Sequence, residues 1–299
     1  VVHQLYTPEQ AARATLASLR YLTLLPRTVR QDFSQDFVAG VGQTVNVLGP
    51  VSAGKAKVYT KANRTARDAI QFNDLTQQWV PVTLENQVYN AVRLPDDFAT
   101  FTLKDLTQQV LIPQAESVVD ELASPLVAEM VAIATDESIP EIGVTADGKS
   151  NFRTALIKAR QVLNDRKVPA ANRTFAVGPG MEAAALQDEL LQKANESGTT
   201  ETLRNATIGQ LFGFTIVADP TLPDDFGVGY HKDAFAHVTR PSRQPDGAAK
   251  SATVAQDGYA LRWIQHYNPL QLEDQSVVDT FYGAKTLDAK RAVSAKLAA

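Results

Sequence analysis

GVGQTVNVLGPVSAGKAKVYTKANRTARDAIQFNDLTQQWVPVTLENQVYNAVRLP, residues 40–95, is the stretch whose reading decides the fold. It opens on the alternating Val45–Val47, turns at Gly49-Pro50, and carries Lys55, Lys57 and Lys61 through a polar middle. It returns along Trp79-Val80-Pro81-Val82-Thr83-Leu84. Alternation punctuated by Gly and Pro predicts an extended β-hairpin. A two-stranded ribbon alone buries too little apolar surface to offset the ordering of its chain, so this one is expected to have no core of its own. An arm of this kind is predicted to lie on something else, which points to assembly rather than catalysis.

Charge sharpens that expectation. Residues 41–95 hold six bases (Lys55, Lys57, Lys61, Arg64, Arg67, Arg93) against Asp68, Asp74 and Glu85, a net +3. Residues 96–147 hold eleven acids against Lys104 alone, a net −10. A basic arm therefore precedes a strongly acidic segment. Two solvated faces would give the same pattern, since most surface charge is only surface. The whole chain carries −4, which argues against a dedicated nucleic-acid binder.

The 299 residues suggest two domains, or one with large excursions. A hydrophobic content of 44% can fill a sizeable core. No apolar run reaches the ~18 residues a membrane span needs, and no signal-peptide pattern opens the chain, so a soluble, non-secreted protein is expected. The absence of cysteine excludes disulfides, thiolate catalysis and cysteine metal sites.

Outside the arm, the pattern predicts an α+β fold. Thr7-Pro8-Glu9-Gln10 starts a helix with a cap, a first-turn Pro and a capping box, and Pro26 is expected to end it. Thr102-Leu103-Lys104-Asp105 opens a second, in which Leu103, Leu106, Val110, Val118, Leu122, Leu126 and Met130 keep three-to-four spacing. Pro113 and Pro125 are expected to bend or break it. Beyond residue 150, helices at 151–164 and 181–194 alternate with strands at 175–177, 214–217, 228–231 and 234–238, as in an α/β layer. The Pro-, Gly- and Ser-rich stretch 239–258 predicts a mobile loop. Strands near 261–267 and 276–282 follow, with Gly283 turning into Lys285–Leu287.

One formal motif demands attention. Gly143-Val-Thr-Ala-Asp-Gly148-Lys149-Ser150 fits the phosphate-binding loop pattern before a helix, and a P-loop NTPase would use its backbone N–H groups, Lys149 and Ser150 on a nucleotide. Asp219, ending a strand, could then serve magnesium. However, Asp136-Glu137-Ser138-Ile139-Pro140-Glu141 stands where a buried hydrophobic strand is required, and its three acids repel a triphosphate. A surface turn is the better reading. His3, His231, His237 and His266 form no i, i+4 metal pair, and no G-x-S-x-G or G-x-G-x-x-G occurs. The pairs Asp96-Asp97 and Asp224-Asp225 read as solvated turns. No catalytic residue, metal or cofactor is expected.

Six strings, taken in order, carry a resemblance: YTPEQAARATLASLRYLTLLPRTVRQDF, VGQTVNVLGP, WVPVTLENQVYNAV, LTQQVLIPQAESVVDELA, IGQLFGFTIVADPTLP and GYALRWIQHYNPLQLEDQSVVDTFYGA. Together they resemble the major capsid proteins of tailed bacteriophages with the Hong Kong 97-type fold, of the coat-protein group common in actinobacterial phages. The resemblance implies an N-terminal arm at 1–39, an E-loop hairpin with return strands at 40–95, and a P-domain spine helix within 96–144. It further implies an α/β A-domain at 145–260 and a return to the P-domain sheet at 261–299. It implies a structural subunit of an icosahedral shell around double-stranded DNA, built from hexamers and pentamers, with scaffold, portal and decoration proteins as partners. No membrane or sequence-specific DNA contact is implied. An encapsulin-like compartment would share the fold. In this family the E-loop lies across a neighbouring subunit, so Lys55, Lys57, Lys61, Arg64 and Arg67 are expected to meet acids of the neighbour's 96–147 segment, among them Glu116, Asp120 and Glu121. Some relatives join a loop Lys to an Asn; Asn268 is the only Asn beyond residue 205, and no such crosslink is expected.

Overall fold

The longest strand, β11 (Glu273–Thr286), organises one sheet. In the computed structural model, it pairs antiparallel with β3 (Asn86–Pro95) on one side and β10 (Tyr259–Asn268) on the other. The structure describes residues 25–31, 44–49, 54–75, 79–97, 107–136, 138–143, 151–187, 207–245, 247, 250–256 and 259–298. β10 pairs in turn with β9 (Lys250–Gln256). Because β11 outruns β10, its last residues, Phe281–Thr286, take β8 (Phe235–Arg240) as partner. Val88, Leu261, Trp263, Val278 and Tyr282 share one face, buried beneath Val118 and Leu122 of the long helix α3 (Ile112–Val131). A slip of one residue would turn that whole set to solvent, so burial fixes the register.

A second sheet runs β12 (Ala292–Lys296), β7 (Phe226–His231), β4 (Arg173–Val177), β6 (Phe214–Ala218), β5 (Thr207–Leu211). Only β4 and β6 are parallel. Helix α4 (Phe152–Asp165) lays Phe152, Ala155, Leu156, Ala159 and Leu163 on this sheet, the spacing of one helical face. Phe175 meets both Phe152 and Phe214 edge-on at 5.9 Å. Gly178 leads into α5 (Pro179–Leu186), where a Cβ would collide with the Pro223 carbonyl oxygen, so the chain there needs glycine.

Helix α3 serves both layers. Val118 and Leu122 belong to the first core, whereas Leu126 and Met130 pack with Leu25, Val29, Tyr230 and Phe235 between the sheets. The one-turn helix α1 (Leu25–Thr28) is tied there by a hydrogen bond between Thr28 and the buried Tyr230 hydroxyl. The hairpin strands β1 (Thr44–Leu48) and β2 (Trp79–Thr83) pair antiparallel, with Val45 opposite Val82 and Val47 opposite Val80.

Several expectations need correction. The hairpin has a core at its root: Val47, Val80, Val82 and Leu84 are buried against Ala236, Val238 and Leu287. Among the described residues pairing covers β1 and β2, and 54–75 hold a loop with a short helix instead of continuous strands. Pro26 lies in the first turn of α1, and the helix it was expected to end falls outside the described residues. Thr107–Leu111 is a π-helical turn, and Pro113 stands where it passes into α3. Pro125 sits inside α3 without stopping it, held on either side by the buried Leu122 and Leu126. The stretch 239–258 contains β9, whose Ala252 packs in the first core. Gly283 continues β11; a Cβ there would collide with the Thr83 carbonyl oxygen, so it permits close approach of the hairpin root.

The division drawn at residue 260 does not follow the sheets. β8 and β9 precede it yet join the first sheet, and β12 follows it yet edges the second. Contiguous sequence cannot reveal such crossings, because pairing partners lie far apart along the chain. The expected helix at 7–25, apart from its last residue, and the helix start at 102–105 lie outside the described residues, as does the part of 181–194 beyond 187.

Candidate assembly surfaces

Residues 54–75 form the hairpin tip, and every one of them is exposed except the half-buried Asn63. Polar contacts alone give it shape. Gly54 turns the chain at φ +75°. The Lys57 ammonium donates to the Phe72 carbonyl at 3.4 Å, and Asn73 donates to the Lys55 carbonyl at 2.9 Å. The Tyr59 hydroxyl donates to the Asp68 carbonyl at 2.7 Å. Helix α2 (Lys61–Ala66) is capped by the Thr60 side chain, which accepts from the Asn63 N–H, and closes on Arg67 in the left-handed conformation. Val58 (84% exposed) and Phe72 (90% exposed) stand in water beside Ile70 and Leu75. Burying each would stabilise by roughly 1.5–3 kcal/mol, which is absent in a lone subunit.

The sequence-predicted bases Lys55, Lys57, Lys61, Arg64 and Arg67 all lie on this exposed tip. The predicted acids lie elsewhere. Glu116 and Glu121 are exposed on α3, and Asp120 belongs to the same helix, its side chain outside the described residues. Glu121 accepts a hydrogen bond from the Tyr282 hydroxyl at 3.1 Å, and burial together with that carboxylate pushes the phenol up to about 12. Among the described residues, no ion pair joins the tip's bases to Glu116 or Glu121 within one subunit.

Other acids of the 96–147 segment hold the subunit itself together. Glu129 accepts from the Thr286 N–H at 3.0 Å, the Thr286 hydroxyl at 2.6 Å and the Lys285 ammonium at 3.0 Å. Partial burial pushes its pKa upward, but these hydrogen bonds outweigh burial and hold it below the usual carboxylate range. Asp136 pairs with Arg166 at 3.0 Å. Sequence reasoning missed the Asp279 carboxylate, nearly fully buried, which takes Arg262 through two bonds of 2.7 and 2.8 Å. It also accepts from Gln87 at 2.6 Å and Ser242 at 2.7 Å, so β3, β10, β11 and the segment after β8 meet on one charge. Strand register was the available signal, since Arg262 faces Asp279 across β10 and β11.

The remaining candidates serve local structure. Of Gly143–Ser150 only Gly143 lies within the described residues; its N–H donates to the Asn151 side chain at 2.8 Å, and Ile142 before it makes only a single bridge to Leu297. The Asp219 carboxylate accepts from the Thr221 N–H at 2.9 Å and from its hydroxyl, closing a turn. His231 lies on β7 and accepts from the Asp233 N–H. His237 is fully buried on β8 and donates to the Leu122 carbonyl at 3.0 Å; burial lowers its pKa to about 4. Among the described residues no group of three or more His, Asp or Glu is placed to hold a metal ion. None of their helices is long and apolar enough to cross a membrane.

Comparison with known proteins converges on one class. The family model for phage capsid protein matches residues 108–282, more than half of the chain. No curated protein matches. A solved structure from Mycobacterium phage Che8 superposes with a TM-score of 0.62 at 20% identity, covering 91% of this chain and 90% of that one. The capsid of cyanophage P-SCSP1u gives 0.57 at 13% identity, covering 86% and 84%. A virus-like particle from Pyrococcus furiosus gives 0.52 at 13% identity, covering 96% and 98%; likeness at such identity carries the fold alone. With the sequence family falling to phage capsids, an encapsulin-like compartment is not favoured. The chain belongs to the phage capsid protein family, as a structural subunit of the capsid shell and a major capsid protein of the Hong Kong 97 type.

Proposed function

We propose that this chain self-assembles, as hexamers and pentamers, into the icosahedral shell that encloses the double-stranded DNA genome of a tailed bacteriophage. Assembly takes place in the host cytoplasm, with scaffold, portal and decoration proteins as further partners. Residues 1–39 serve as the N-terminal arm, 40–95 as the E-loop with its return strands, and 96–144 as the spine of the P-domain. The A-domain draws on 145–260 and the P-domain closes with 261–299, the strands crossing between the two as described.

One observation carries this reading: the tip at 54–75 is ordered by its own hydrogen bonds, yet it buries no side chain. Ordering such a segment is unfavourable unless something covers it. A neighbouring subunit is that cover. Lys55, Lys57, Lys61, Arg64 and Arg67 then face the neighbour's acidic 96–147 segment, where Glu116, Asp120 and Glu121 lie. Each exposed pair contributes only ~0–1 kcal/mol and is screened by salt, so their value lies in number and in choosing register. The modest negative charge of the chain, −4, suits a container whose wall must release DNA.

Sedimentation and negative-stain imaging of the purified chain test the proposal. Hollow particles of megadalton size are expected; a stable monomer under all assembly conditions refutes it. Reversing Lys55, Lys57 and Lys61 to Glu is expected to prevent shells while leaving the thermal melt of the free subunit unchanged. Normal shells from that variant would refute the charge pairing.

A further inference from the structure

The second sheet separates two helices of opposite sign. Successive residues of β4 point to opposite faces: Phe175 and Val177 pack under α4, whereas Ala176 faces the core that Leu126 and Met130 of α3 complete. Helix α3 carries Glu116, Asp120, Glu121 and Glu129 and no base. Residues 151–173 span α4, the loop after it and the first residue of β4. They carry Arg153, Lys158, Arg160, Arg166, Lys167 and Arg173 against Asp165 alone, a net +5. Helix α5, on the same face as α4, adds one charge, Glu182.

The bases of this face are held in place, and most are not neutralised. Arg166 is taken by Asp136 at 3.0 Å. Lys158, Arg160 and Lys167 are exposed, and among the described residues no ion pair engages them. The Arg160 guanidinium donates to the Phe212 carbonyl at 2.9 Å, which aims it while leaving its charge unmatched. Lys167 closes α4 at φ +58°, a position glycine usually fills; its N–H donates to the Asn164 carbonyl at 2.8 Å, and the Val168 N–H donates to the Leu163 carbonyl at 3.0 Å. At the same end of α4, the buried Arg173 meets neutral oxygens only. It donates to the carbonyls of Pro169 at 2.8 Å and Val168 at 2.6 Å, and to the Asn164 side chain at 2.8 Å. Burial and the neighbouring Arg160 both lower its pKa, so like charges are crowded here.

Between the bases stand Thr154, Gln161 and Asn164, with Ile157 the one large exposed apolar side chain of α4. Protein interfaces are anchored by clustered apolar and aromatic side chains, which this face lacks. Lys and Arg interspersed with Thr, Gln and Asn are the side chains that meet phosphate oxygens.

We infer that the outer face of α4, with the loop 166–172, is the surface on which the enclosed double-stranded DNA rests, through its phosphates and without regard to sequence. The inference rests on the shell reading and adds which side of the second sheet faces inward. Lys158, Arg160 and Lys167 supply the phosphate contacts. So few contacts per copy bind weakly and yield to salt, so a wall of many copies holds the DNA in place and still lets it go. The acids of α3 lie on the other side of the sheet, away from the phosphates they would repel.

Fluorescence anisotropy of a short labelled duplex of mixed sequence, titrated with the free subunit between about 50 and 200 mM salt, tests the contact. Lys158→Gln/Arg160→Gln/Lys167→Gln is expected to weaken binding about tenfold or more at the lower salt. At about 0.9 per lost phosphate contact, it is expected to reduce the slope of log affinity against log salt by about 2–3. Lys55→Gln/Lys57→Gln/Lys61→Gln removes equal charge from the hairpin tip and is expected to weaken binding less than the α4 exchange. A loss from the tip exchange as large as that from α4 overturns the inference. An oligoglutamate peptide that displaces the duplex as well as unlabelled DNA of equal charge also overturns it, because the occupant is then an acidic polypeptide. Formaldehyde treatment of DNA-filled particles, followed by nuclease and tryptic digestion, gives an independent readout. Nucleotide adducts are expected on Lys158 and Lys167. Shells that form but carry their adducts elsewhere overturn the inference alone, whereas a chain that forms no shells overturns the shell reading.

Discussion

His237→Gln is the substitution whose effect follows most directly from the structure. The imidazole is fully buried on β8 and donates to the Leu122 carbonyl, so it ties the first sheet to α3 while neutral. Burial lowers its pKa from 6.5 to about 4. A base depressed in the folded state binds fewer protons folded than unfolded between those two values, so stability rises with pH across that window. The loss on acidification is full only below pH 4. At 1.36 kcal/mol per unit, the window of about 2.5 units amounts to about 3 kcal/mol. Urea unfolding of the free subunit at several pH values between 7 and 4 measures this. Other groups titrate too, so the quantity of interest is the difference between the two proteins. Gln keeps a donor for the Leu122 carbonyl but does not titrate, and the variant is expected to lose about 3 kcal/mol less than the unaltered chain over the range. Parallel pH profiles would refute the reasoning, because they would mean His237 gains its proton as readily folded as unfolded.

Three further substitutions test the framework. Arg262→Ala leaves the nearly buried Asp279 carboxylate without its charged partner and is expected to cost about 3–5 kcal/mol, read from the urea midpoint. Gly283→Ala drives a methyl into the Thr83 carbonyl and is expected to cost about 1–3 kcal/mol, with loosened protection of the hairpin root in hydrogen exchange. Glu129→Gln weakens the clamp on Thr286 and Lys285. Because Lys285 is half exposed, the expected loss is about 1–2 kcal/mol at pH 7, shrinking as pH falls below the unfolded carboxylate range around 4.5.

Much of the fold was legible where local pattern and tertiary burial agree. The Val45–Val47 and Trp79–Thr83 alternation predicted β1 and β2, and the spacing of Val118, Leu122, Leu126 and Met130 predicted the buried face of α3. The 151–164 helix was nearly exact in its bounds because Phe152 to Leu163 obey one helical period. Illegible were features set by partners distant in sequence. β12 reads Ala-Val-Ser-Ala-Lys, too small and mild to announce a strand, and becomes one by pairing with β7. Gly283 looked like a turn because a glycine in isolation signals one; only the approach of Thr83 shows why it continues a strand. Of the candidate site, the bases of the tip could be read from charge alone. The engagement of Glu121 by Tyr282 could not, since it depends on where α3 lies across β11.

The root of the hairpin has a consequence for timing. Val47, Val80 and Val82 close against Ala236, Val238 and Leu287, and β3 pairs with β11, far along the chain. A nascent polypeptide still emerging from the ribosome has the arm but not the strands that aim it. Contacts of such long sequence separation form late and slowly. The arm is therefore expected to be aimed only once β8, β11 and Leu287 have been made and its root has closed.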